Sequence, residues 1–169
     1  GIYFGQPTHT VTVKEGIENK LNRRLPYTMG TDITQMRETL SFFDKMTAED
    51  GKPGMTGRYW NNTRMEGEPC LQKRYASKLI FDNGGNTAFE AGVNLQDFTA
   101  SYHGTLVPEE DGMVRFNFSN SNGLRLVVNG DTIYNRWKQS RLMNNTRQMD
   151  VKAGRKYDIR LDYMQLSGG

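Results

Sequence analysis

The stretch Ser121–Trp137 reads SNGLRLVVNGDTIYNRW and decides the fold class. Leu124, Leu126 and Val128 recur at every second position, so one face of this segment can be buried while the other meets water. Asn129 and Gly130 both tolerate positive φ angles, as a two-residue type I′ turn requires. The following strand then places Ile133, Asn135 and Trp137 on one side. The stretch therefore predicts a β-hairpin in an antiparallel sheet, ending in an exposed tryptophan.

The same period of two continues through the second part of the chain. Tyr157, Ile159, Leu161 and Tyr163 alternate with Lys156, Asp158, Arg160 and Asp162, which predicts a strand with one apolar face and one charged face. Turn residues at 83–86 and 109–112 separate further short strands. This spacing favours a mainly β fold, an antiparallel β-sandwich or barrel.

The first part of the chain follows a different pattern. Thr12 to Glu15 has capping-box spacing and predicts a helix over residues 13–23, which Pro26 ends. A short strand over Leu25 to Met29 and a second helix from Asp32 to Phe43 complete a short α/β flank. Ala48 to Gly54 is rich in turn residues. We therefore assign residues 1–50 to the flank and 54–169 to the sandwich.

Composition excludes several classes of protein. The formal net charge is +3 and the basic residues are scattered among acidic ones, so nucleic-acid binding is not expected. No apolar run reaches the length of a membrane span, and no membrane association is expected. Cys70 is the single cysteine, which rules out an intrachain disulfide and predicts a small buried apolar side chain.

The β-rich part resembles the protective-antigen-type (PA14) lectin-like domain. The hairpin at 121–137 is similar to the signature of that family, in which a turn and strand lead through an Asn-Gly or Asp-Gly turn to a short strand ending in Trp. Four further segments are similar to family markers in the same order: residues 57–62, 98–106, 108–119 and 153–164. The resemblance covers residues 54–169 and implies a PA14-like β-sandwich.

The flank resembles another family. Tyr3 to Pro7, Val11 to Ile17 and Tyr27 to Ile33 look like consecutive pieces of the C-terminal α/β domain of family-three glycoside hydrolases, in which a PA14 domain is sometimes inserted. The resemblance implies a β-glucosidase-like parent, whose catalytic domains would be partners of this chain, and an extracytoplasmic location. The PA14 pattern normally continues with one more apolar strand. Its absence would leave an unpaired strand edge, and hence the prospect of an edge-strand homodimer.

Candidate site residues follow from the chemistry of sugar binding. A flat aromatic ring covers the apolar face of a pyranose, while amides and guanidinium groups bind the hydroxyls. The predicted carbohydrate-binding set is Asn120, Ser121, Asn122, Arg136 and Trp137. The alternative for Trp137 is a place in the core. Tyr59 and Trp60 alternate, so one of them is core, and Tyr102 is expected to be core.

Metal and catalytic sites are not expected. PA14 domains of the adhesin type bind calcium with paired aspartates at the turn that is Ser121-Asn122 here, and the neutral side chains disfavour calcium. No cofactor is therefore predicted. The nucleophile and acid/base carboxylates of family-three hydrolases belong to segments that this chain does not resemble, so no catalytic residue is assigned. His103 is expected to have a hydrogen-bonded structural role, and Asp158 and Asp162 to pair with basic residues across strands.

Three functions remain open. The chain can be a non-catalytic module that limits which oligosaccharides or glycosides reach the active-site mouth of a family-three β-glycosidase. It can be a stand-alone glycan-binding domain of the adhesin or lectin kind. It can also be a structural insert that mediates dimerisation. The α/β-like flank favours the first.

Overall fold

A computed structural model describes residues 13–24, 43, 45–81 and 87–167 of the chain. Its contacts divide the chain into two compact units, Gly1–Thr39 and Leu40–Gly169. In the first unit, helix α1 spans Val13–Leu21 and none of its residues is buried. The helix starts as predicted and ends two residues early, because Asn22 takes a left-handed φ of 49°. The predicted strand at 25–29 and the helix at 32–43 lie outside the described residues, apart from Phe43.

The described part of the second unit contains nine strands. They are β1 (Met46–Thr47), β2 (Met55–Trp60), β3 (Leu71–Tyr75), β4 (Phe98–Leu106), β5 (Gly112–Asn120), β6 (Gly123–Val128), β7 (Asp131–Arg136), β8 (Met143–Val151) and β9 (Tyr157–Gln165). A seven-stranded sheet has the order β3-β2-β4-β9-β6-β7, with β1 also paired to β4, and β5 and β8 form a two-stranded sheet. Every pairing is antiparallel. The predicted fold class is confirmed.

The sequence predicts the signature hairpin correctly. β6 and β7 pair antiparallel and are joined at Asn129 and Gly130, whose φ angles are 51° and 89°. Both angles lie in the left-handed region that a type I′ turn needs. The register shifts between Leu126 and Val127, so a bulge interrupts the ladder.

The core lies on one face of the large sheet, against β5 and β8. Tyr59 and Phe98 are 0% exposed and Leu126 and Tyr102 are 2% exposed, which confirms Tyr102 as core. Val114 of β5 and Val151 of β8 belong to the same apolar cluster. Because side chains alternate along a strand, the other face of the large sheet carries the polar residues. We call this the outer face.

Three tyrosine hydroxyls meet inside the core. The Tyr59 hydroxyl lies 2.6 Å from that of Tyr75 and 2.9 Å from that of Tyr102. The Tyr75 hydroxyl also donates to Glu90 Oε1 at 2.8 Å, and Lys73 Nζ donates to both Glu90 oxygens. A buried hydroxyl needs such a partner because it has lost water. Burial raises the pKa of all three tyrosines.

Three sequence-based expectations differ from the structure. Cys70 is exposed, not buried. It lies in the turn-rich segment before β3, where its backbone N–H donates to the Tyr59 carbonyl. Asp162 interrupts the predicted alternation of β9, since it is on the polar face and yet 1% exposed. Residues 46–47, which we assigned to the flank, form β1 and pair with Leu106 and Thr105 of β4.

Candidate carbohydrate-binding surface

The turn between β5 and β6 carries three of the predicted site residues. Asn120 is 9% exposed and its Nδ2 donates to the Asn122 carbonyl at 2.6 Å. Asn122 is 1% exposed; its Oδ1 accepts from Leu166 N at 3.2 Å and its Nδ2 donates to Gln165 Oε1 at 3.3 Å. The Asn122 amide therefore ties this turn to the end of β9, and the Asn120 amide bonds within the turn. Both use hydrogen-bonding groups that a sugar would need.

The same turn offers few free oxygen ligands for calcium. Calcium takes six to eight oxygen ligands. The Asn122 side-chain oxygen is already bonded to a backbone N–H, and Asn120 Oδ1 is buried without a hydrogen-bond partner among the described residues. Among those residues no group of three or more His, Cys, Asp or Glu side chains could hold a metal ion. The donor set does not fit calcium.

Arg136 and Trp137 point to different sides of the large sheet. Arg136 is the register partner of the core residue Leu124, and its Nη1 contacts the sulfur of Met143. Trp137 is partly exposed at the edge beside β7, and the Arg125 guanidinium lies 5.0 Å from the centre of its ring. That distance is typical of a cation–π contact. The sequence grouped Arg136 with Trp137, whereas the structure places Arg125 on the tryptophan.

Ser121 is joined to the segment that follows Trp137. Its carbonyl oxygen accepts from Ser140 N at 2.7 Å. Gln139 Nε2 in turn donates to the carbonyl and hydroxyl oxygens of Ser167, at 2.8 and 2.9 Å. Ser121, the buried amides of Asn120 and Asn122, and Trp137 thus lie at one end of the sheet, whereas Arg136 points to its other side.

A buried carboxylate lies next to Trp137. Asp162 Oδ1 accepts from Ser101 Oγ at 2.8 Å, and Oδ2 accepts from Arg125 Nε and Nη2 at 2.9 and 2.8 Å. Arg160 Nε lies 3.4 Å from Oδ1. We call Ser101, Arg125, Arg160 and Asp162 the Asp162 cluster. The predicted pairing of Asp162 with a basic residue across strands is confirmed, since Arg125 is its register partner on β6.

A second polar cluster lies further across the outer face. His103 Nδ1 is 3.0 Å from Glu49 Oε1, and its Nε2 contacts Asp158 Oδ1. Glu49 also binds the Arg58 guanidinium with both carboxylate oxygens, and this hydrogen bonding to Arg58 lowers the pKa of Glu49. The structural role expected of His103 is confirmed. A groove of about 350 Å³ lies beside this cluster, lined by Glu49, Asp50, Thr56, Gln72, Lys73 and Arg74. Its strands β2 and β3 are at the opposite side of the sheet from Trp137.

The two tryptophans of the chain have different environments. Trp60 at the end of β2 is partly exposed, and its Nε1 donates to the Gly67 carbonyl at 2.9 Å. Its neighbour Tyr59 is buried in the core, which confirms the prediction that one of the two residues is a core residue. Trp137 keeps its ring beside charged groups of the outer face. An aromatic ring beside guanidinium and carboxylate groups is a surface on which a sugar ring can lie.

The architecture is that of an antiparallel β-sandwich domain, and comparison with known proteins gives its family. The model of the PA14 domain matches residues 51–169. The chain belongs to the PA14 domain family.

Individual relatives differ in kind. The chain is 31% identical over 168 residues to a xylan 1,4-beta-xylosidase of Xylanibacter ruminicola, which covers 96% of this chain and 19% of that protein. It is 25% identical over 118 residues to the anti-sigma-I factor RsgI3 of Acetivibrio thermocellus, covering 66% of this chain and 17% of that protein. A crystal structure of β-glucosidase from Kluyveromyces marxianus in complex with glucose superposes with a TM-score of 0.53 at 20% identity, covering 92% of this chain and 20% of that one. The chain therefore spans about a fifth of the length of these relatives.

Proposed function

We propose that this chain is a non-catalytic carbohydrate-recognition module of a glycoside hydrolase of the β-xylosidase or β-glucosidase kind, shaping the mouth of the active site. The observation that carries the proposal is the extent of the likeness to the xylosidase. It runs over 168 residues, and so includes the flank as well as the PA14 domain. A free glycan-binding domain would have no need for that flank. The parent's catalytic domains and an oligosaccharide would be the partners, and an extracytoplasmic location follows from the same proposal.

Three carboxylates of the described residues support a non-catalytic role. Hydrolysis of most glycosides needs two carboxyl groups on opposite sides of the scissile bond, and one must hold a proton near neutral pH. Although burial acts to raise the pKa of Glu90, hydrogen bonds from Lys73 and Tyr75 hold it below its usual value. Glu49 is held ionised by Arg58, and Asp162 is enclosed by Ser101 and Arg125. These groups are committed to ion pairs, which suits binding and not proton transfer.

The proposed contact surface is the Trp137 edge of the outer face. Asn120 and Asn122 are committed to hydrogen bonds within the protein, so they support the surface from below. Trp137 would provide the flat apolar contact, and Arg125 is held against its ring by the ion pair with Asp162. A side chain fixed in this way loses little conformational entropy when a ligand binds.

Titration of the isotopically labelled 169-residue chain with xylo- and gluco-oligosaccharides, followed by NMR, tests the proposal. We expect weak binding, with amide shifts concentrated at residues 121–125 and 135–140, and no turnover of aryl xylosides or glucosides. Trp137→Leu should abolish the shifts, whereas Trp60→Leu, the same change at the other edge, should leave them. Measurable hydrolysis by the chain alone, or shifts confined to the β5–β8 sheet, would refute the proposal.

A stand-alone glycan-binding domain is the second candidate function. The likeness to an anti-sigma factor favours it, because that relative places a similar domain outside a glycosidase. Affinity of the chain alone separates the two candidates, since an independent receptor must bind tightly without a catalytic partner. The third function, a structural insert that mediates dimerisation, gains no support from β9, the last described strand in the chain. It is paired on one side by β4 and on the other by β6.

A further inference from the structure

The Asp162 cluster has unequal numbers of positive and negative groups. The Asp162 side chain is 2% exposed, and its oxygens accept from Ser101 and twice from Arg125. One carboxylate therefore faces two guanidinium groups, those of Arg125 and Arg160. Because arginine stays protonated in proteins, the cluster carries a net charge of +1.

The excess charge resides on Arg160. Its side chain is 49% exposed, and its Nε lies 3.4 Å from Asp162 Oδ1, longer than the bonds that Arg125 makes. The Arg160 side chain makes no hydrogen bond with any residue that the structure describes. The Nε atom faces Asp162, and the two terminal Nη groups remain to bind a carboxylate with two parallel hydrogen bonds.

The other carboxylates of this part of the outer face contact other partners. Asp158 precedes it by two positions on the same face of β9, but the Asp158 carboxylate contacts His103 Nε2. Glu49 is bound by Arg58 and by His103 Nδ1. His103, the register partner of Arg160 on β4, adds no negative charge of its own. Two arginines, Arg125 and Arg160, therefore share one carboxylate on the side of the outer face toward Trp137.

We infer that this surface prefers saccharides that carry a carboxylate, such as a uronic acid side group on a neutral backbone. Arg160 binds the carboxylate while Trp137, on the far side of Arg125, contacts a sugar ring. Arg125 is held by Asp162 on one side and lies over the indole on the other, so the positions of charge and ring are set before the ligand arrives. The inference rests on the proposed function and names the class of ligand for the same surface.

Paired ligands test it on the full chain. The probes are a xylo-oligosaccharide with one glucuronic acid side group and the undecorated oligosaccharide of equal length. We expect calorimetry to give about tenfold tighter binding of the acidic probe, as one charge-assisted bidentate contact at a half-exposed site provides. Arg160→Gln should remove this preference and leave binding of the neutral probe unchanged. The matched control Arg155→Gln, a change in the turn before β9, should preserve the preference.

The outcomes separate the inference from the proposed function. Equal affinity for both probes in the unaltered chain would overturn the inference and leave the proposed function standing. A preference that survives Arg160→Gln would also overturn it. Binding of neither probe would refute the proposed function and the inference together. Raised salt gives a further check, because it should weaken the acidic complex alone.

Discussion

Removal of the Tyr59 hydroxyl tests the buried tyrosine cluster most directly. Tyr59→Phe keeps the ring and creates no cavity, so only the two hydrogen bonds to Tyr75 and Tyr102 are lost. Tyr75 still donates to Glu90. Tyr102 is 2% exposed, and among the described residues its hydroxyl bonds only to Tyr59. The substitution therefore leaves one hydroxyl buried without a partner.

The magnitude follows from that orphaned group. A buried polar group without a partner costs about 1–3 kcal/mol, so we expect Tyr59→Phe to lower the free energy of unfolding by about 2 kcal/mol. Tyr102→Phe should cost about 1 kcal/mol, because Tyr59 keeps its bond to Tyr75. The double variant should cost about 2 kcal/mol, less than the sum, since no orphan remains.

Urea unfolding followed by intrinsic fluorescence measures these values for the 169-residue chain. Tyr134→Phe is the control: the structure assigns its hydroxyl no hydrogen bond to a described residue, and the expected change is within about 0.5 kcal/mol. Loss of less than about 0.5 kcal/mol in Tyr59→Phe, or strict additivity of the two single variants, would show that the hydroxyls do not act as a unit.

Other perturbations have equally definite outcomes. Asp162→Ala leaves Arg125 without its carboxylate and should lower the free energy of unfolding by about 2 kcal/mol. This is below the usual cost for a fully buried pair because the Arg125 side chain is 34% exposed. An unchanged urea midpoint would contradict this expectation. Gly54→Ala should lower the free energy of unfolding by about 3 kcal/mol or more, since the new Cβ would lie 2.0 Å from the carbonyl oxygen of Tyr75 at a φ of +119°. Gly51→Ala has open space around the new Cβ and should cost about 1 kcal/mol. Thermal melts measure both changes. Burial raises the pKa of Tyr163 from 10.0 to about 12, so its contribution to stability is complete below pH 10 and is lost as the pH rises through 12. Unfolding midpoints that stay flat between pH 9 and 12 would oppose that assignment.

Local rules predicted the hairpin and the core from the sequence. Asn129 and Gly130 are among the few residue pairs that both accept a left-handed φ, so the turn position was determined by the side chains themselves. The alternation in β9 likewise predicted Tyr157 and Ile159 as buried. It failed at Asp162, because a strand pattern does not reveal that Arg125 on a neighbouring strand covers the carboxylate.

The structure shows the contacts of the candidate site residues, which the sequence predicted only in part. Trp137 is partly exposed, in keeping with the surface alternative and not with a place in the core, but Asn120 and Asn122 turn inward. The partners of the Asn122 amide are Leu166 and Gln165, more than forty positions away, and no local pattern encodes such a contact. Arg125 was missed as a neighbour of Trp137 for the same reason. The alternating charges of β9 were the available signal, since a buried or half-buried carboxylate requires a cation across the strands.

The position of β9 has a consequence for synthesis. Ser101 and Asp162 are neighbours across two strands but are separated by 61 residues along the chain. Until β9 emerges, the half-sheet ending in β4 and the half-sheet ending in β6 each expose a row of unpaired backbone groups. At typical ribosomal speeds, synthesis of the 61 residues from Ser101 to Asp162 takes about 3–12 seconds. The nascent chain thus depends on its last described strand to join two incomplete halves, and protease sensitivity of ribosome-bound chains should disappear abruptly when that strand becomes available.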